Sequence, residues 1–325
     1  MAMHVEKSRS AGWPGWPGWP GWPAVARVAG RLGVALVIAL AGYLLIYRPL
    51  QLRWGATGEE VARVMPGDEI QRQPIFNATR AVTINARPEQ IWPWLVQIGY
   101  RRAGWYGYDW IDNDGILSAD RIIPELQHLK VGDDLPIWKG INYKVVAVDP
   151  NRSLVWESQS GHDSMVLALY PLDASHTRLV WRKHDAPYNW TSPYIIVPQL
   201  FSDLSDLIAI RQNMLGIKER AEGATLEAPV VTYTELALWV ATFLGFLVAE
   251  AGLVVRRDWP RPLLAVSATG LITIGLVLLK PPVWVDGLVT IGVFVGLWWT
   301  YRPAARRAIS GGSGMHIYSI IRIAE

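Results

Sequence analysis

The sequence predicts an α+β chain in which a curved antiparallel sheet wraps around a long closing helix, joined to four membrane-spanning helices. Three observations predict it. A strand runs straight into a helix over residues 79–99, an apolar-striped helix occupies residues 198–222 with strand-like runs between the two, and four apolar runs flank this central unit. In the first stretch Val82 and Ile84 alternate with Thr83 and Asn85, and Pro88 supplies the fixed φ suited to a first helical turn. Ile91, Trp94, Leu95 and Ile98 then recur at helical spacing, with Pro93 inside the pattern either kinking the helix or delaying its start. In the closing helix Leu200, Leu204, Leu207, Ile208 and Leu215 share a stripe, while Asp203, Asp206, Gln212 and Lys218 lie off it. Strands are expected at 135–138, 142–148, 153–158, 164–170 and 177–183. Asp149-Pro150-Asn151 and Asp173-Ala174-Ser175 form connectors so short that the strands they join must be antiparallel.

The chain divides into a Trp-Pro-Gly tail (1–27), a membrane helix (28–47), the sheet-and-helix domain (75–222), three further membrane helices (235–301) and a tail (302–325). In the first tail Trp13, Trp16, Trp19 and Trp22 recur every three residues, the period of polyproline II, and either line one edge at headgroup level or belong to a low-complexity segment. The apolar runs at 32–47, 236–255, 263–279 and 287–301 each approach the ~20 residues that cross a ~30 Å hydrocarbon core. Gly292 and Gly296 form a GxxxG in the last, a spacing that favours close helix packing and leaves a homo-oligomer through the membrane helices open. Lys7, Arg9, Arg27 and Arg31 precede the first run, Arg256, Arg257 and Arg261 separate the second from the third, and Arg302, Arg306 and Arg307 follow the fourth. With four spans these groups fall on one side, which the positive-inside bias makes cytoplasmic. The expected location is the cytoplasmic membrane, multi-pass, with the central domain on the outer side, although Arg48, Arg53, Lys218 and Arg220 near the outer ends weigh against it.

A net charge of +3, with no basic stripe interleaved with aromatics, argues against nucleic acid as a partner. Cysteine is absent, which removes disulfides, thiolate nucleophiles and cysteine metal sites. Asp109, Asp112 and Asp114 near Gly115 do not fit a calcium loop, because that frame puts Trp110 and Arg121 where carboxylates are needed; a turn or capping role is expected. His128, His162, His176 and His184 show no zinc-ligand spacing, and neither a Gly-x-Ser-x-Gly elbow nor a phosphate-cradling glycine loop occurs. No cofactor and no metal are expected.

The order RAVTINARPEQIWPWLVQIG, GWYGYDW, SADRIIPELQHLKVGD, a strand meander and a helix ending in GIKERAE resembles the START-related, helix-grip superfamily that groups polyketide cyclases and dehydrases with lipid-transport proteins. It looks most like the bacterial membrane-tethered members, and the resemblance covers about half of the chain. It implies an apolar ligand, a lipid or other hydrophobic small molecule, held between sheet and long helix, and it carries over no catalytic residue.

Residues expected at such a cavity are Trp94, Tyr106, Tyr108, Trp110, Trp156, Trp181, Leu204, Ile208 and Arg211. Tyr106, Tyr108 and Trp110 follow the first helix, where they either form the mouth or pack in the core. Arg211 continues the 204, 208, 211, 215 stripe; its guanidinium either meets a ligand carboxylate or phosphate or snorkels out at the edge. Strand alternation sets Glu157 opposite in face to Trp156, and Arg182 and His184 opposite to Trp181. If the polar face lines the cavity, those three supply a general acid or base for a cyclase-like or dehydrase-like enzyme; otherwise they lie on a solvated convex face. A sensor whose occupancy shifts the membrane helices is the remaining possibility. Glu250 and Asp286, the ionisable residues within the spans, are expected near span ends.

Overall fold

The computed structural model describes residues 22–161, 163–186, 193–256 and 258–302, with side chains from 25 onward and, in the long central helix, from 205. The Trp-Pro-Gly repeat before residue 22, His162, Arg257 and the tail beyond 302 lie outside these residues, as do the side chains of Leu200 and Leu204. The chain enters through α1 (Trp22–Gly42), passes a π-helical turn (Tyr43–Tyr47) and continues as α2 (Arg48–Arg53). Pro49 has no N–H for the carbonyl of Leu45, and the Arg48 amide reaches back to Tyr43 instead, so the ladder widens just before the proline. The short α3 (Gly58–Ala62) is held by a capping box in which the Thr57 amide donates to the Glu60 carboxylate at 2.8 Å and the Glu60 amide to the Thr57 hydroxyl at 3.2 Å.

Next come β1 (Phe76–Ile84) and α4 (Pro88–Gln97), which begins at Pro88 and runs on through Pro93. After α5 (Asp109–Asp112) follow β2 (Asp134–Trp138), β3 (Ile141–Asp149), β4 (Ser153–Ser158), β5 (Asp163–Pro171) and β6 (Thr177–Asp185), then α6 (Pro193–Ala221). The six strands form one antiparallel sheet in the order β1-β6-β5-β4-β3-β2. Four consecutive pairs are neighbours joined by short turns, and β1 is placed at the far edge against β6, with Phe76 opposite Asp185 and Ile84 opposite Thr177. This is the predicted α+β class.

Alternation along the strands gives the sheet two apolar faces. Leu154, Trp156, Leu167, Leu169, Leu179 and Trp181 pack with Ile91 and Leu95 of α4 and with Ile210, Met214 and Ile217 of α6. Ala81, Val155, Val166, Ala168 and Val180 point the other way, where Met65 and Ile70 from the segment after α3 cover them. This side is neither a cavity lining nor the solvated convex face that alternation left open: residues 58–70 form a lid over it.

Among the described residues four helices are long and apolar enough to cross a membrane: Val25–Arg53, then α7 (Pro229–Val255), α8 (Pro260–Leu279) and α9 (Val283–Tyr301). Their outward side chains, among them Leu36, Leu45, Leu264, Leu271, Leu288 and Trp298, are exposed and apolar. Close packing uses Gly245 against Val293 and Gly252 against Tyr301, whereas Gly292 and Gly296 face open space, so the GxxxG expected to pack helices does not do so within the chain. Arginines close the helix ends: Arg31 donates to the carbonyl of Arg256 after α7, and Arg256 to that of Tyr301 at the end of α9. Cations there oppose the negative end of the helix dipole. Of the ionisable residues within the spans, Asp286 lies in the first turn of α9, as expected, and accepts the indole N–H of Trp239 at 3.2 Å, turned into the bundle.

The stripe read on α6 is displaced. Ile210, Met214 and Ile217 face the sheet, while Ile208 joins Trp239, Leu276 and Val277 on α7 and α8. A helix between two apolar partners is apolar on two sides, and spacing alone does not say which stripe meets which partner. The layers therefore run the long apolar helices, α6, sheet, and the 58–70 lid.

Candidate functional site

Strand alternation brings two of the expected aromatic residues together, and Trp105, which the sequence did not single out, joins them. Trp156 and Trp181 are fully buried, edge to face at 6.1 Å between ring centroids, and Trp105 lies 6.4 Å from Trp181. Trp94 meets Tyr106 edge-on at 5.9 Å. These rings pack against one another and against Met214 in the core between sheet and α6. The indole N–H groups of Trp156 and Trp181 meet no acceptor among the described residues.

The polar strand face is not a catalytic surface open to a ligand. Arg182 donates to Thr79 Oγ1 at 2.9 Å, Asp68 Oδ2 at 2.7 Å, and the carbonyls of Glu60, Arg63 and Val61 at 2.8, 2.8 and 3.1 Å. Its guanidinium is used up in clamping the lid. His184, buried beside Asp68, is held below the usual imidazole range by burial, which the neighbouring Arg182 charge reinforces and the Asp68 charge opposes. Glu157 lies on the same face as Val155, away from α6.

Spacing gave no hint of a second cluster, which draws on α2, β1, β3, β5, β6 and α6. Arg80 of β1 is fully buried, pairs with Asp206 of α6 and donates through Nε to the carbonyl of Gln51 at 2.8 Å. Lys183 lies between Asp185 at 3.1 Å and Asp206 at 3.3 Å, and Asp163, opposite Asp185 across the β5–β6 ladder, accepts the Tyr143 hydroxyl at 3.0 Å. Burial raises Asp206 but the Arg80 and Lys183 charges outweigh it and hold the carboxyl below its usual range. Asp185 is pushed up to about 6 by burial, partly offset by Lys183 and reinforced by Asp163. The cluster ties α2, at the end of the first long apolar segment, to both walls of the domain.

An open cleft of ≈ 530 Å³ lies where the domain meets the start of α7. Its walls are the 106–123 loop, the C-terminal half of α6, the 226–229 connector and the first turns of α7. Tyr106 forms the inner wall with a left-handed backbone, φ 61°, rare for an aromatic residue. The conformation is over-determined: its amide donates to Ser118 Oγ at 3.0 Å, and its hydroxyl donates to the Trp94 carbonyl at 3.1 Å while accepting from Gln97 Nε2 at 3.0 Å. A Cβ at Gly216 would run into the Tyr106 carbonyl, so the close approach of loop and α6 requires glycine there. Arg220 lies 4.5 Å over the Tyr106 ring and donates to the Ala119 carbonyl at 2.8 Å. Leu117, Leu226 and Pro229 are the apolar part of the lining, and Asp120, Arg121, Glu219 and Glu227 the charged part. Apolar and charged side chains alternate along the same walls, a lining that offers both apolar contact and hydrogen bonds.

Of the expected mouth residues, Tyr106 lines this cleft, Tyr108 is buried beside it and Trp110 is 73% exposed. Burial raises the hydroxyls of Tyr106 and Tyr108 well above the ordinary tyrosine range. The three aspartates take the expected turn roles: Asp109 accepts from the Ser118 amide at 2.9 Å, Asp112 from the Tyr108 amide at 3.0 Å, and Asp114 from the Tyr100 hydroxyl at 2.5 Å and Arg101 at 2.6 Å. Asp112 is pushed up to about 7 by burial, with the Asp109 charge adding. Ile208 and Arg211 lie apart from both aromatic groups: Arg211 donates to the Val277 carbonyl in the last turn of α8 and stacks 5.4 Å over Trp54. Lys280 follows that helix end, donating to Gln212 at 3.0 Å.

No protein-family model and no curated protein matches the chain. Among solved structures, it is similar to a polyketide-cyclase-like protein from Corynebacterium glutamicum, at 14% identity over 44% of this chain and 88% of that one, with a TM-score of 0.30. A protein from Thermobifida fusca is similar at 15% identity over 46% and 97%, TM-score 0.31, and one from Mesorhizobium loti at 16% over 46% and 100%, TM-score 0.26. At these scores the likeness decides nothing about function, and the α+β class rests on the sheet and helices of the chain itself.

Proposed function

We propose that the chain is a membrane-anchored binding protein whose helix-grip domain takes up a lipid or another hydrophobic small molecule with a polar end. The observation that carries this reading is the cleft of ≈ 530 Å³ shared by the 106–123 loop, α6 and the start of α7. Its volume falls in the range of small-molecule sites, and its position at a helix long and apolar enough to cross a membrane gives a bilayer component direct access. Arg27, Arg31, Arg256 and Arg302 gather at the ends of α1, α7 and α9 remote from the domain, so the positive-inside bias favours a cytoplasmic location for those ends and an outer-side domain.

The test is extraction. The full chain, purified in detergent, is expected to release an amphipathic molecule into organic solvent, identified by mass spectrometry. Thr232→Trp, which fills the cleft from the α7 side, is expected to lose it. Nothing above the level of an unrelated membrane protein in the wild type, or equal release from the variant, overturns the reading.

A second reading, a ligand sensor coupled to the long apolar helices, is favoured by the first turns of α7. Thr232 and Tyr233 line the cleft, so an occupant meets the start of one of those helices directly. Crosslinking between spans that ignores the extracted molecule would remove this reading and leave the first.

A further inference from the structure

Residues 109–118 carry a surface that no step of binding explains. Trp110, Ile111, Ile116 and Leu117 are 73%, 50%, 49% and 60% exposed, four large apolar side chains on one short loop. Most polar side chains of the same loop turn inward; Asp114 is the exception, exposed and paired with Arg101 at 2.6 Å. Asp109 accepts the Ser118 amide and, at 2.5 Å, its hydroxyl, while Asn113, 1% exposed, accepts the Arg101 amide at 2.7 Å and donates to the Ile116 carbonyl at 2.7 Å. The loop is thus clasped shut from within, and its apolar side chains project by construction. A surface loop ordinarily shows the reverse pattern.

Its position identifies the occupant. The Trp110 amide donates to the Tyr233 hydroxyl at 3.0 Å, and the two rings meet edge-on at 6.2 Å. Tyr233 lies in the first turns of α7, whose 27 residues extend about 40 Å against a hydrocarbon core of ~30 Å. The start of α7 therefore stands at headgroup level, where tryptophan and tyrosine are favoured, and the loop is continuous with it. We infer that the Trp110–Leu117 loop is a membrane-inserted lip, which dips its four apolar side chains into the interfacial layer of the bilayer that the chain's own helices cross. Leu117 also lines the cleft, so the lip forms a continuous apolar edge from bilayer to binding site. This inference rests on the membrane reading above and adds to it a second, peripheral contact made by the domain itself.

The sequence contains no cysteine, so single introduced cysteines report one position each. Ile116→Cys, Val64→Cys and Leu271→Cys are labelled with an environment-sensitive fluorophore in the full chain, reconstituted in phosphatidylcholine vesicles with or without a headgroup-proximal nitroxide lipid. Val64, 87% exposed on the lid across the sheet from α6, is the aqueous control; Leu271, 58% exposed within α8, is the embedded one. The expected result is blue-shifted emission and loss of most fluorescence to the quencher at 116, none at 64, and blue-shifted emission at 271. Aqueous emission at 116 with embedded emission at 271 overturns the lip and leaves the membrane reading intact. Aqueous emission at all three positions overturns both, and equal quenching at 64 and 116 overturns the lip as non-specific.

Discussion

Replacing Asp185 by asparagine should stabilise the domain, and the gain should depend on pH. Asp185 is fully buried, faces Asp163 across the ladder and has Lys183 at 3.1 Å as its counter-ion. Burial, with Asp163 adding and Lys183 opposing, moves its carboxyl from the ordinary 3.8 to about 6 in the fold. Between those values the folded chain binds more protons than the unfolded one, so stability from this group is lost as pH rises through the window. The full cost stands above the folded value and amounts to about 3 kcal/mol, at about 1.4 kcal/mol per pH unit. At pH 4.5 the same linkage leaves about 1 kcal/mol of it. Asparagine carries no charge, and Lys183 keeps Asp206 at 3.3 Å, so the variant escapes most of the cost. Thermal unfolding of the full chain in detergent, followed from pH 4.5 to 7.5, is expected to show a stabilised variant, with its advantage growing by about 2 kcal/mol across the range. That corresponds to a melting shift of about 4–8 °C for a domain of this size. A variant that melts below wild type at pH 7.5, or whose difference from wild type is flat in pH, would refute the reasoning and make the Asp185–Lys183 pair a net source of stability.

Three further outcomes follow from the packing. Arg182→Met strands the Asp68 carboxylate and frees three carbonyls, at a cost of about 3–5 kcal/mol, and hydrogen exchange should speed up in peptides covering 58–70 before the rest of the sheet responds. Gly216→Val drives its side chain into the Tyr106 carbonyl and should cost at least about 1–3 kcal/mol in thermal stability, whereas Gly292→Val, in open space, should leave the domain's melting point unchanged. Trp181→Ala removes the ring between Trp105 and Trp156 and should destabilise by about 3–5 kcal/mol in denaturant titration; a loss under about 1 kcal/mol would show that the interior is not the packed core described.

Much of the fold was legible because strand alternation and apolar run length are local properties. Val82 and Ile84 announced β1, the five later runs appeared as β2 to β6, and hairpin connectors such as Asp149-Pro150-Asn151 dictated antiparallel neighbours. The site was less legible, for three physical reasons. The 58–70 lid has little periodicity, and its hold on the sheet comes from one arginine reaching backbone carbonyls that no spacing marks. The α6 stripe is ambiguous because a sandwiched helix is apolar on both sides, and Ile208 and Arg211, expected at a cavity with snorkelling as the alternative for Arg211, meet α7 and α8. The cleft gathers residues as far apart as Tyr106 and Tyr233, and nothing in either neighbourhood points to the other. Tyr106 alone carried a usable signal, through its place in a Gly-Trp-Tyr-Gly segment just after the first helix of the domain.

The interlocked tryptophans constrain how a ligand in the cleft acts on the membrane helices. α6 is held on its inner side by Ile210, Met214 and Ile217 in a core with Trp105, Trp156 and Trp181, and close-packed interiors transmit a push but do not slide. Its outer side is fastened by Arg211 on the end of α8 and by Gln212 to Lys280. The wall left to respond is therefore the 225–228 connector, which follows Gly223 at φ 65° and lies outside any helix or strand. It leads straight into the first turns of α7, where Thr232 and Tyr233 line the cleft. Occupancy would then reach the bundle by reorienting the start of α7 and with it the Tyr233–Trp110 contact, while α6 and the sheet stay in place. On this argument ligand-dependent crosslinks should appear between α7 and its neighbours and be absent between α6 and α8.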